Sequence, residues 1–243
     1  MVEVLNRPPK KFSWSFSAVD NFHTCPNKYY HQNILKDVSD DTTYRTEGGK
    51  VHDILRDAVR RTTPLPGHLV RWQRWIDELH RDGGKVMAEV KYAFTEQLVP
   101  CDYFDKNVHP WCRSNIDVLK FQRHAPTGLA NSALVWDWKT GRLKPDDDQL
   151  MLYAMNVFLR FKSIDYVDAG LIFLKEDTGP HVHRNECTYE LRIKRQDVID
   201  WWKGYLPKVR ALERAIKQSN FPAIKSGLCR AHCAVTSCEH CGT

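Results

Sequence analysis

The stretch from Ser114 to Tyr153 constrains the fold of this chain more than any other part of it. Its apolar runs predict two strands, the first ending near Asp117 and the second carrying Asp137 and Lys139. Side chains alternate between the faces of a strand, so Asp137 and Lys139 share one face and Trp138 points to the other. The loop between the strands is long enough to bring Asp117 beside Asp137.

A helix is predicted directly after the second strand, from about residue 146 to residue 161. Gln149 and Tyr153 are four residues apart in this segment, so they lie on one face of the helix. The sequence therefore predicts that two carboxylates, one ammonium group and one amide gather at one end of a small sheet.

This combination of groups suits the metal-dependent cleavage of phosphodiester bonds. Carboxylates are hard oxygen ligands for Mg²⁺ or Mn²⁺, and a bound ion lowers the pKa of a coordinated water. The lysine could orient the attacking water or balance phosphate charge. The alternative is a solvated charge pair on a strand, because a single Asp-x-Lys triplet is a weak signal.

A second acidic-x-Lys triplet occurs at Glu89-Val90-Lys91, within a strand predicted over residues 86–94. It has no carboxylate on a preceding strand, because Asp77 and Asp82 fall in helical or turn segments, and no Gln-x3-Tyr helix follows it. The context therefore favours Asp137 and Lys139. Glu89 is either a secondary acidic residue at the edge of the site or a surface glutamate.

Composition is compatible with a nucleic-acid partner without requiring one. The chain has 243 residues, 42% hydrophobic and 27% charged, with a mean hydropathy of −0.53 and a net charge of +6. These values predict a soluble protein with one large domain, or a domain with an appendage. No apolar run could span a bilayer, and Met1 to Lys11 lack a signal-peptide core, so we expect a cytoplasmic location without a disulfide framework.

The central motifs resemble those of the PD-(D/E)XK nuclease superfamily, and most closely the RecB-like exonucleases, which include CRISPR-associated and phage-encoded members. The resemblance rests on Ile116-Asp117, Asp137-Trp138-Lys139-Thr140-Gly141 and Gln149-Leu150-x2-Tyr153-Ala154. It implies an α/β fold with a restriction-endonuclease-like core, in which helices flank a central mixed sheet. It also implies that Asp117 and Asp137 bind the ion and that Lys139 assists the attacking water. Gln149 and Tyr153 would position the lysine or the DNA.

His52 is a further candidate ligand. Gly48 and Gly49 predict a turn before a helix from about Lys50 to Arg61. A lone histidine beside an apolar stripe is more often structural than a metal ligand. However, Gly-x2-Val-His resembles the motif that supplies a histidine ligand in RecB-like enzymes, and an imidazole would favour Mn²⁺ over Mg²⁺.

Four cysteines near the end of the chain form the second strong signal, with the spacing Cys229-x3-Cys233-x4-Cys238-x2-Cys241. Such density points to zinc or an iron–sulfur cluster, since either accepts four thiolates. The resemblance favours a 4Fe-4S cluster held by Cys25, Cys229, Cys233 and Cys238. The sequence Ser-x-Ser-x4-Phe-x2-Cys-Pro around Cys25 is similar to the N-terminal cysteine motif of those nucleases. Cys241 is then an extra thiol, an alternative ligand or a zinc ligand.

These observations predict a flexible leader over residues 1–12 and a nuclease domain over 13–220, whose part from 13 to 82 is helical. Residues 221–243 would form a cysteine-rich tail that packs with the Cys25 region as a metal-binding cap. The expected function is a metal-dependent DNA nuclease, an exonuclease acting on single strands or duplex ends in recombination, repair or phage DNA processing. We expect no membrane partner, and a recombination or CRISPR-adaptation protein is a candidate partner. The alternatives are a non-catalytic DNA-binding or assembly factor, or a zinc-tailed protein that binds a partner.

Overall fold

The computed structural model describes residues 12–39, 42–61, 63–81, 83–123, 130–141, 145–174 and 187–243. Residues 1–11, which make up most of the predicted leader, lie outside the described residues.

A single mixed sheet forms the centre of the described part of the chain. Its strands are β1 (Val86–Phe94), β2 (Pro100–Cys101), β3 (Cys112–Arg123), β4 (Ala130–Lys139), β5 (Tyr166–Phe173) and β6 (Thr188–Lys194). They form a six-stranded sheet in the order β2-β1-β3-β4-β5-β6. β4 and β5 pair in parallel, and every other neighbouring pair is antiparallel. The parallel pair needs a crossover connection, which a helix between the two strands provides.

Helices cover both faces of the sheet. They are α1 (Phe16–Thr24), α2 (Pro26–Tyr29), α3 (Thr42–Val59), α4 (Gln73–His80), α5 (Asp147–Arg160) and α6 (Arg195–Gln218), with a π-helical turn at Tyr30–Leu35 and a 3-10 helix at Gly67–Trp72. This arrangement confirms the predicted α/β class, a mixed sheet flanked by helices that is consistent with a restriction-endonuclease-like core. Among the described residues, no helix combines the length and the apolar character that a bilayer crossing would require.

Two apolar layers hold the helices against the sheet. The α5 core lies between one face and helices α1, α5 and α6, and it includes Phe22, Val135, Leu150, Val157, Val167, Val209 and Leu212. The α3 core lies on the other face under α3, the 3-10 helix and α4, and it includes Leu55, Trp72, Ile76, Val118, Trp136 and Trp138. Val135 and Trp136 therefore face opposite layers, as the alternation along a strand predicts.

The predicted turn at Gly48 and Gly49 is wrong, because both residues lie inside α3, which begins at Thr42. Each glycine disfavours a helix interior by about 1 kcal/mol relative to alanine. Burial of Leu55 and the other apolar residues near the end of α3 outweighs that cost. Gly48 also lets the helix approach the end of β4, since a Cβ at this position would lie 3.1 Å from Oγ1 of Thr140.

The N-terminal segment is divided into shorter helices around Cys25. Ser15 caps α1, and its side chain accepts a hydrogen bond from the amide of Ala18. Cys25 is extended (φ −162°), and α2 starts at Pro26, whose ring suits the first position of a helix. The helical segment is therefore interrupted at Cys25-Pro26, and the chain continues into the π-helical turn.

The two ends of the described chain meet. The amide of Asn27 donates a hydrogen bond to the carbonyl of Pro222, with an N–O distance of 3.3 Å. The ring of Tyr30 stacks on Phe221 with centroids 4.8 Å apart. The segment after Cys25 thus packs against the first residues of the cysteine-rich tail.

We expect Trp14 to be a major contributor to stability. It is 2% exposed, and its ring contacts those of Phe94, Trp111 and Trp202. Its backbone bonds to Trp111 and Arg113, which ties the N-terminal segment to the start of β3. Trp14→Ala should lower the free energy of unfolding by about 3–5 kcal/mol, measured by urea denaturation. Phe104→Ala, at a side chain that is 70% exposed, is the matched control and should have little effect. Equal losses in the two variants would contradict this assignment.

Candidate active site

The carboxylate of Asp137, near the end of β4, is the centre of a buried hydrogen-bond network. Its Oδ2 lies 2.7 Å from Nζ of Lys139. Its Oδ1 accepts hydrogen bonds from the hydroxyl of Tyr153 at 2.7 Å and from Nε2 of Gln149 at 3.0 Å. Three side chains from β4 and α5 therefore fix the orientation of one carboxylate.

Gln149 links the other members of the network. Its Oε1 accepts a hydrogen bond from Nζ of Lys139 at 2.6 Å, and its Nε2 lies 2.7 Å from the hydroxyl of Tyr153. Gln149 is in the first turn of α5, where the side chain of Asp146 accepts a hydrogen bond from its amide. Burial and the nearby charge of Asp137 raise the pKa of Tyr153 well above its ordinary value, so the hydroxyl remains a donor.

Asp117 occupies the point where β3 and β4 separate. Pairing between these strands extends to Val118 and Trp136, and it stops there. Oδ2 of Asp117 accepts a hydrogen bond from the backbone amide of Trp138 at 2.8 Å. The same oxygen lies 3.2 Å from Nδ1 of His52 in α3. The side chain of Asp117 thus takes the place of the β3 backbone as the partner of the Trp138 amide. It also connects β3 to α3.

His52, Glu89 and Asp117 form a group that could hold a metal ion. Their candidate ligand atoms all lie within 4.8 Å of one another. One imidazole and two carboxylates form a donor set that suits Mn²⁺ or Mg²⁺. Asp137, the other predicted ligand, lies outside this group of three but close enough to affect the charge of Asp117.

The electrostatics of the group favour the arrival of a cation. Burial, with a further contribution from Asp137, raises the pKa of Asp117 from 3.8 to about 6. The hydrogen bond with Asp117 raises the pKa of His52, although burial of the ring acts in the opposite direction. The carboxylates of Asp117 and Asp137 are thus held where ionisation of both is unfavourable. A divalent ion would relieve the repulsion between them. The residues present therefore fit a divalent metal.

The position of Glu89 was only partly anticipated from the sequence. It lies beside Asp117 because β1 pairs with β3. Its partner carboxylate, Asp117, follows it in the chain, so the lack of a carboxylate on a preceding strand does not separate Glu89 from the site. Lys91 of the same triplet is exposed and lies over the rings of Tyr103 and Phe104, away from the cluster. Asn115, which donates a hydrogen bond to Glu89, carried no signal in the sequence.

The cysteine tail folds into short turns. Cys229 is buried, its carbonyl accepts a hydrogen bond from the amide of Gly242, and its Sγ accepts one from the amide of Ser226 at 3.4 Å. Cys25, Cys233, Cys238 and Cys241 are half-buried thiols. In the part of the chain that the structure describes, which includes these five cysteines, no three thiol sulfurs lie within 4.8 Å of one another.

Comparison with known families gives a match that is consistent with the fold. Residues 13–131, just under half of the chain, match the family model of the PD-(D/E)XK nuclease superfamily. The matched segment contains His52, Glu89 and Asp117, and it ends before Asp137 and Lys139. The match points to a nuclease. No curated protein matches the chain at a significant level.

The raised pKa of Asp117 has a consequence for the metal-free protein. Because the folded state binds the proton more tightly than the unfolded state, stability should fall as the pH rises from about 4 to about 6. The raised pKa of His52 acts in the same direction. Above this range, Asp117→Asn should stabilise the metal-free protein by roughly 2 kcal/mol, measured by thermal denaturation at neutral pH.

The matched control for this prediction is Asp105→Asn. Asp105 is half-buried and lies outside the site, and backbone amides lower the pKa of its carboxyl, so its replacement should not stabilise the protein. Mn²⁺ should raise the melting temperature of the wild type more than that of Asp117→Asn. A metal-free Asp117→Asn protein that melts below the wild type at neutral pH would contradict the predicted cost of ionising Asp117 in the folded state.

Proposed function

We propose that this protein is a metal-dependent DNA nuclease that hydrolyses phosphodiester bonds. The observation that carries the proposal is the convergence of His52, Glu89 and Asp117 beside the network of Asp137 and Lys139. These side chains come from three strands and a helix that are distant in sequence. A surface charge pair would not need such burial or such an extensive set of hydrogen bonds.

His52, Asp117 and Asp137 would hold the divalent ion, with Glu89 as a further ligand. Such an ion would stabilise charge on the phosphate and lower the pKa of a bound water. Oδ2 of Asp137 contacts Lys139 and retains a second lone pair, so its carboxylate can serve the lysine and the ion together.

Lys139 is the cationic group in this network that remains accessible to substrate. Its side chain is 30% exposed, whereas that of Asp137 is 7% exposed. Asp137 and Gln149 hold the ammonium group in place, which leaves one of its protons for the attacking water or a phosphate oxygen. Tyr153 and Gln149 act on the reaction through Asp137 and Lys139, because they fix both in a single orientation.

The finer proposal is an exonuclease that acts on single strands or duplex ends. Its support is the resemblance of the motifs to those of the RecB-like branch, and the same resemblance supports a role in recombination, repair, phage DNA processing or CRISPR adaptation. The competing proposal is a non-catalytic DNA-binding factor on this fold. That proposal does not explain why every polar group expected of an active site is present and hydrogen-bonded.

We also propose that Cys25, Cys229, Cys233 and Cys238 hold a 4Fe-4S cluster, with Cys241 as an alternative ligand. Support comes from the contacts of Asn27 and Tyr30 with residues 221–222, which bring the segment after Cys25 against the start of the tail. A shared cluster would close a loop that includes most of the chain and so restrict the unfolded state.

Lys139→Ala should reduce cleavage of labelled single- or double-stranded DNA by about 100-fold or more with Mg²⁺ or Mn²⁺, because the group next to the reacting phosphate is lost. Lys91→Ala is the matched control, since it alters the lysine of the other acidic-x-Lys triplet in the chain. That variant should cleave at the wild-type rate. Equal cleavage by the wild type and Lys139→Ala would remove the catalytic assignment.

Freshly purified protein should be brown and contain iron and labile sulfide, measured by visible absorption and metal analysis. Cys229→Ser should lose most of the colour and melt at a lower temperature, because the proposed cluster ties the two ends of the chain together. Cys101→Ser, at a thiol in β2 outside the proposed ligand set, should retain the colour. Colourless wild-type protein that contains one equivalent of zinc would establish the zinc alternative.

A further inference from the structure

Glu89 has a backbone conformation that is unusual inside a strand. It lies in the middle of β1, yet its φ angle is +55°. Positive φ is disfavoured for every residue except glycine, because the Cβ atom approaches the backbone too closely. A strained residue persists only where its surroundings hold it, and such residues are concentrated at functional sites.

The strain coincides with a change of face in two strands. Ala88 pairs with Val118 and Val90 pairs with Ile116, so Glu89 lies opposite Asp117, although these two residues do not pair themselves. Ala88 and Val118 pack in the α3 core, whereas Val90 and Ile116 pack in the α5 core. Residues two apart in a regular strand would share a face, so β1 and β3 change faces together at the carboxylate pair.

Two side chains contact β1 at this irregularity. The guanidinium of Arg60, just after α3, donates a hydrogen bond to the carbonyl of Ala88 at 3.1 Å. This contact anchors the peptide that leads into Glu89. From the neighbouring strand, Nδ2 of Asn115 donates a hydrogen bond to the carboxylate of Glu89. The backbone before the strained residue and the end of its side chain are therefore each fixed by a separate donor.

Asn115 also has a polar atom that lacks a protein partner. Its Oδ1 is buried and accepts no hydrogen bond from the described residues. A buried acceptor of this kind is costly unless a donor reaches it. Water on an ion beside Glu89 would be such a donor, because ligand carboxylates and the groups around them commonly share hydrogen bonds with metal-bound water.

We propose that Arg60 and Asn115 are positioning residues that hold Glu89 in its strained conformation and direct its carboxylate toward a divalent ion shared with His52 and Asp117. This inference rests on the proposed function, since it concerns the same metal site. If either contact were lost, Glu89 could relax toward an extended conformation with negative φ. Its carboxylate would then leave the group, and the ion would bind more weakly.

The first test measures Mn²⁺ binding by titration calorimetry in the absence of DNA. Asn115→Ala and Arg60→Ala should each raise the Kd for Mn²⁺ about 10-fold or more, which is the usual effect of removing a partner of a metal ligand. Arg60→Lys should recover much of the affinity, because an ammonium can also reach the carbonyl of Ala88. Asn107→Ala and Arg74→Ala, at exposed positions outside the site, are the matched controls and should bind like the wild type.

The second test separates backbone strain from the loss of the carboxylate. Glu89→Gly and Glu89→Ala both remove the ligand and should both bind Mn²⁺ weakly. Glycine tolerates positive φ and alanine does not, so Glu89→Gly should have the higher melting temperature. The sign of this difference in melting temperature is diagnostic, because a glycine variant inside an ordinary strand is less stable than the alanine variant. An alanine variant that is as stable as the glycine variant would overturn the strain argument.

The outcomes distinguish the inference from the proposed function. If the wild type binds Mn²⁺ and cleaves DNA while Asn115→Ala and Arg60→Ala bind with unchanged affinity, the positioning role is wrong and the nuclease assignment stands. If the wild type neither binds Mn²⁺ nor cleaves DNA, the positioning role and the nuclease assignment are both wrong. Weaker binding in both variants with wild-type melting temperatures, together with recovery by Arg60→Lys, supports positioning over a general loss of structure.

Discussion

The repulsion between two buried carboxylates, Asp117 and Asp137, is the constraint around which this site is organised. Both are buried, and burial together with the charge of Asp137 raises the cost of ionising Asp117. The fold compensates with different donors for each of them. Asp137 has Lys139, Gln149 and Tyr153, whereas Asp117 has a backbone amide and His52. A divalent cation would complete the charge balance.

The division of donors explains why the architecture needs both layers of helices. The α5 layer supplies an amide and a hydroxyl to Asp137, and the α3 layer supplies an imidazole to Asp117. The sheet carries the carboxylates at the place where β3 and β4 separate. A charged cluster of this kind would weaken most cores, but here large apolar layers on both faces maintain the geometry around it.

Local patterns in the sequence were sufficient for some features and not for others. Strand alternation predicted that Asp137 and Lys139 share a face, and helical spacing predicted the same for Gln149 and Tyr153. In the structure, hydrogen bonds join all four side chains. Their chemical roles remain predictions. The position of Glu89 depends on the pairing of β1 with β3, which is a long-range contact that no local period encodes. The sequence likewise gives the number and order of the tail cysteines but not the distances between their sulfurs.

The glycine pair in α3 shows how tertiary packing overrides a local signal, and it has a mechanical consequence. At Gly48 the helix backbone lies close to Thr140, because glycine has no side chain between them. His52 lies one turn further along the same helix, and Lys139 immediately precedes Thr140. A side chain larger than hydrogen at Gly48 would therefore press on Thr140, next to Lys139, from the helix that carries His52.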